Sequence, residues 1–176
     1  MKIAALLISF LIFIGSITIV NAADTGTVAA TVTPQSISVT VTDGSVAYGT
    51  VDLSSTQATT SGGLDDTQVA TNNGNVAEDF NITSTNATGG TAWTLASTIG
   101  TDQYKHSFCT AGGGSPDPCD STPTWTAITT AGSYQSLSTN VAASGTTRFD
   151  LQLSTPSSVA DYVQKSITVT VQAVAN

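Results

Sequence analysis

The chain is poor in charge, and poorest in positive charge. Among 176 residues there are 4 Lys and Arg, 12 Asp and Glu, and one His. So few bases exclude nucleic-acid binding of the usual kind, which needs clustered Lys and Arg to displace counterions. A single imidazole, His106, leaves little for acid–base catalysis. Two Cys and one His are too few ligands for a structural zinc site. Aromatics make up 6%, and no hydrophobic run long enough to span a bilayer follows residue 20. Hydrophobic residues are nonetheless 40% of the chain, with 21 Ser and 32 Thr beside them. Apolar content at this level supports a packed core, and Thr suits a half-buried pleated surface. The length fits one domain, and the net charge of −8 argues against phosphate-rich partners.

Lys2 precedes an apolar run from Ile3 to Val20, followed by Val20-Asn21-Ala22. A basic start, an apolar centre and small residues before the junction predict a secretory signal peptide over residues 1–22. The mature domain is then 23–176, with residues 23–34 as a candidate amino-terminal arm. No second apolar span and no carboxy-terminal anchor are expected. The expected location is extracellular, at the cell surface.

The mature chain reads as short alternating runs separated by Gly, Asn, Asp and Pro, which predicts strands. In Ser36–Leu53, Ile37, Val39 and Val41 alternate with Ser and Thr before Asp43-Gly44, the sequence of a tight hairpin turn. That hairpin would set Val41 opposite Val46 and Val39 opposite Tyr48. Asn73-Gly74 predicts a second turn, placing Val69, Val76, Phe80 and Ile82 on one face. It also sets Glu78 against Val69, which calls for a bulge or a solvated end. Further runs are Ala92–Ser97, Thr124–Ile128, Thr146–Ser154 and Val163–Ala175. The pattern predicts an all-β fold: a single antiparallel β-sandwich, immunoglobulin-like or jelly-roll, of roughly seven to nine strands.

Cys109 and Cys119 flank a Gly- and Pro-rich loop, and in an exported chain they predict one disulfide. His106, in Tyr104-Lys105-His106-Ser107-Phe108, reads as an exposed or capping residue rather than a triad member, and no G-x-S-x-G elbow is present. Asp117 and Asp120, or Asp65 and Asp66, are acidic loop positions of the kind calcium uses, though no EF-hand spacing accompanies them. Solvated loop acids are the expectation, with no cofactor. Trp93 reads as a core residue. Trp125 is the candidate for exposure, and so for stacking on a sugar ring. Asn81-Ile82-Thr83 and Asn86-Ala87-Thr88 are N-glycosylation sequons.

The leader, Val-Ala-Tyr-Gly-Thr-Val at 46–51, Asn-Asn-Gly-Asn at 72–75 and Ser-Ile-Thr-Val-Thr-Val at 166–171 give a layout of known type. It resembles small exported cell-surface β-sandwich proteins of bacteria and archaea, filament subunits among them. Thr91-Ala92-Trp93-Thr94-Leu95 is similar to the first motif of WxL surface domains, whose second W-x-L near the carboxy end this chain lacks. The resemblance implies a non-catalytic structural or adhesive protein whose partners are further copies of itself or other cell-surface components. Thr25–Thr33 alternates through Val28, Ala30 and Val32 ahead of Pro34. It reads either as a strand donated to the next subunit or as the domain's own first strand. The alternative function is a carbohydrate-binding module using Trp125.

Overall fold

The computed structural model describes residues 24–110 and 118–176. The leader at 1–22 and Asp117 lie outside the described residues. The chain divides into a unit ending at Thr33 and a unit from Pro34 to Asn176. In the first, residues 24–33 are exposed and join no ladder.

Among its described residues the second unit is all-β, with ten strands and one helical turn. The first sheet holds β1 (Val39–Thr42), β3 (Gln68–Asn72), β9 (Thr146–Ser154), β6 (Gln103–Thr110) and β5 (Thr94–Leu95), in that order across the sheet. Alongside, β2 (Thr56–Ala58) pairs with β9, and β7 (Thr126–Ile128) pairs with β6. The second sheet is β10 (Val169–Ala175), β4 (Glu78–Ser84) and β8 (Gln135–Val141). All ladders are antiparallel except β5–β6. The count exceeds the expected seven to nine because β2, β5 and β7 are ladders of two or three residues.

The two sheets share one core. Ala70, Phe108, Phe149, Leu151 and Leu153 from the first face Phe80, Ile82 and Leu137 from the second. Alternation drives this: in β9, Phe149, Leu151 and Leu153 occupy every second position and all point inward. Full burial of each large side chain contributes about 1.5–3 kcal/mol.

Two predicted hairpins do not form. Asp43 and Gly44 do adopt the left-handed backbone of the expected turn, with φ of 70° and 67°. Yet Val41 pairs with Ala70 on β3, and the segment after the turn joins no ladder. The chain around Asn73-Gly74 likewise crosses from one sheet to the other, since β3 and β4 belong to different sheets. Asn72 holds that corner: its amide donates to the carbonyls of Val76 and Val141, and its oxygen accepts from Gly74 N–H. Glu78 is fully buried there rather than solvated, at a register shift between β4 and β8, and accepts from Ser38 N–H at 2.9 Å.

On the outer face of β9, Asp150 is fully buried because a loop lies over it, and both Thr59 and Thr67 hydroxyls donate to its carboxylate at 2.7 and 3.0 Å. Its burial needs those donors, because an unpaired buried charge is costly.

Candidate functional site

A cleft of about 1220 Å³ lies between the edges of the two sheets. Its floor is the inner face of β9, with Phe149, Leu151 and Leu153, and His106 of β6. One wall is β10 with the chain leading into it from Val159. The other is residues 44–53, following the Asp43-Gly44 turn.

Both walls carry unused backbone. Among the described residues β10 pairs with β4 alone. Ser166 exchanges both hydrogen bonds with Thr88, and Thr168 accepts from Thr85 N–H. Antiparallel ladders alternate, so the even positions face β4. The N–H and C=O groups of Ile167, Val169, Val171 and Ala173 therefore point to the open edge. Their side chains pack against the core but stay only half-buried. Opposite, Val46 and Tyr48 are half-buried while Ser45, Ala47 and Gly49 are exposed. That is strand alternation without a ladder.

Beneath the cleft lies a polar cluster. His106 is 1% exposed, a correction to the exposed or capping role expected of it. Its position is set by parity: Tyr104, His106 and Phe108 share the inner face of β6. Its Nδ1 lies 3.0 Å from the Ser84 hydroxyl and its Nε2 3.4 Å from the Tyr48 hydroxyl. Burial disfavours the imidazolium and lowers the pKa to about 4. Burial, with help from the Asp66 charge, raises the Tyr48 phenol well above its ordinary value. Burial likewise raises Tyr104, whose hydroxyl donates to the Thr85 carbonyl. The cluster is neutral, and its ring nitrogens face hydroxyls where a triad would present a carboxylate.

The rim is pinned by one carboxylate. Asp161 accepts from Thr91 N–H at 2.5 Å, Val163 N–H at 3.1 Å and Lys165 Nζ at 2.7 Å. Lys165 also donates to the Gly89 carbonyl and sits 5.6 Å from the centre of the Trp93 ring. These donors hold the Asp161 carboxyl far below its ordinary value, Lys165 first among them.

The residues singled out from sequence lie elsewhere. Cys109 and Cys119 form the predicted disulfide, with sulfurs 2.04 Å apart, at the helical turn α1 (Pro118–Ser121). Trp125 is half-buried and packs on that disulfide rather than standing clear. Trp93 is half-buried against the core. Asp120 accepts from Ser61 N–H, and Asp66 from the Gln68 amide. No group of three metal-ligating side chains occurs among the described residues. Asn81 lies half-buried on β4. Asn86 is exposed, with its side-chain oxygen bound to Leu95 N–H. Among the described residues no helix is long and apolar enough to cross a membrane.

The cleft itself was not read from sequence. The available signal was that Val-Ala-Tyr-Gly-Thr-Val at 46–51 carries strand alternation, which the missing ladder leaves as a wall. Comparison with family models, with curated proteins and with solved structures found no match to this chain.

Proposed function

We propose that the protein is an exported structural subunit of the cell surface that polymerises by strand donation. Residues 24–33 of one copy enter the cleft of another and pair with β10. One observation carries this reading: β10 presents unpaired backbone and half-buried valines above an apolar floor. The same chain supplies a fitting occupant. Val28 and Val32 are 94% and 90% exposed, and Thr25–Thr33 contains no charge. An added strand gains backbone hydrogen bonds along its length, and alternate side chains fill the space beneath. Each valine buried contributes about 1.5–3 kcal/mol. The uncharged Thr25–Thr33 segment also avoids repulsion between mature chains, which keep 3 bases (Lys105, Arg148, Lys165) against 12 acids, a net of −9.

Residues 1–22 act as the signal peptide in this proposal, and a disulfide fits an oxidising, extracytoplasmic location. Two packed sheets with a seam at β1 and β10 suit an immunoglobulin-like sandwich short of one strand. A carbohydrate-binding role through Trp125 has less support, because that ring covers the disulfide.

Deleting residues 24–33 from the mature protein tests the proposal. Negative-stain microscopy should show filaments for the parent and monomers for the deletion, with an unchanged β-type circular-dichroism spectrum. Filaments from the deletion variant, or an unfolded monomer, would overturn it.

A further inference from the structure

Resting on that reading, we propose that the donated strand runs antiparallel to β10, so that subunits join head to tail in an open filament and do not close into swapped pairs.

The two ends of the sandwich are distinct. At one pole, Ala175 pairs with Glu78, and Glu78 accepts from Ser38 N–H. Asn75 fixes the chain just before it, bonding Ser36 N–H and the Pro34 carbonyl. Pro34, the first residue of the body, therefore lies at the pole where β10 ends. At the opposite pole lie the start of β10, where Val169 pairs with Ser84, and Ser166 beside Thr88. The cleft extends to that far pole, lined there by residues 49–53 and 159–166.

This geometry makes strand direction decide the assembly. Suppose a donated arm ran parallel to β10. Its Thr33 end would then lie at the acceptor's arm-bearing pole, and the two arm-bearing poles would abut. Each copy would be placed to fill the other, giving a closed two-fold pair. An arm folded back from Pro34 into its own cleft would also have to run parallel. An antiparallel arm instead brings its Thr33 end to the far pole. The donor's arm-bearing pole then meets the acceptor's opposite pole, a heterologous contact that repeats without closing.

One observation favours the antiparallel direction, and two more are consistent with it. Every ladder of the β10–β4–β8 sheet is antiparallel, so the new strand continues the existing pattern. The open-edge positions Ile167, Val169, Val171 and Ala173 are the ones with inward side chains. An antiparallel register sets Val32 opposite Ile167, Ala30 opposite Val169, Val28 opposite Val171 and Gly26 opposite Ala173. Directly opposed residues share a face, so Gly26, Val28, Ala30 and Val32 enter the core, while Ala29 and every Thr stay outside. Finally, in this register the nine residues Thr25–Thr33 meet the nine from Ser166 to Val174.

Disulfide trapping in the mature protein distinguishes the cases, with the native cysteines already paired. Val32→Cys is combined with Ile167→Cys or Val169→Cys in one set and with Ala173→Cys or Ala175→Cys in another. After assembly and oxidation, the antiparallel arrangement gives a ladder of covalent multimers on non-reducing gels in the first set, at least tenfold above the second. Covalent dimers or internally bridged monomers confined to the second set would overturn the direction while leaving strand donation standing. Filaments with no cross-link in either set, or no assembly by the parent, would overturn strand donation itself.

Discussion

His106 ties the stability of this fold to acid. Its folded pKa of about 4 lies below the unfolded value near 6.5, so the unfolded chain binds the proton more tightly. The stabilising contribution is complete above pH 6.5 and is lost as the pH falls toward 4. The shift corresponds to roughly 3 kcal/mol. Urea midpoints measured across that window should drop with pH for the parent. His106→Gln, which cannot take up the proton, should flatten the slope; an unchanged slope would place the titration elsewhere. Tyr48→Phe removes the hydroxyl facing Nε2 and should cost about 1 kcal/mol by the same assay. The inward position of His106 was legible from the alternation Tyr104, His106, Phe108 with Lys105 and Ser107 between them. Its composition as a polar residue masked that, because burial depended on Ser84 and Tyr48, distant in sequence.

Among the elements, those specified by their own alternation were legible and those specified by a partner were not. Thr146–Ser154 forms a strand over the predicted residues. The final strand begins at Val169, short of the predicted Val163, because Asp161 and Lys165 tie the chain before it to Gly89 and Thr91. Asp43-Gly44 gave the right backbone turn, but β3 competed for β1 and took it. Local chemistry sets a turn; pairing is decided by which sheet edge is nearest in the folded chain. Gly90 belongs to the rim, with φ of 56° and a Cβ position that would meet the Asp161 carboxylate. Gly90→Ala should therefore loosen residues 159–167, seen as faster amide exchange there with the β9 core unchanged. The disulfide closes a short loop, and its loss should cost about 2–3 kcal/mol. Replacing both cysteines with Ala should lower Tm by roughly 5–10 °C in calorimetry.

At the scale of the whole molecule, charge opposes association. Mature copies, with 3 bases against 12 acids and so a net of −9, repel one another, and salt at about 0.1 M shortens the reach of that repulsion to roughly 10 Å. The proposed assembly should accelerate as salt rises from about 0.01 to 0.15 M, followed by light scattering. An assembly driven by ion pairs would slow instead. The opposite placement of arm root and cleft has one more consequence. A fibre built as proposed has unlike tips, one showing a vacant slot and the other a dangling tail. A synthetic peptide spanning residues 24–33 would plug the slotted tip and leave the tailed one free to elongate.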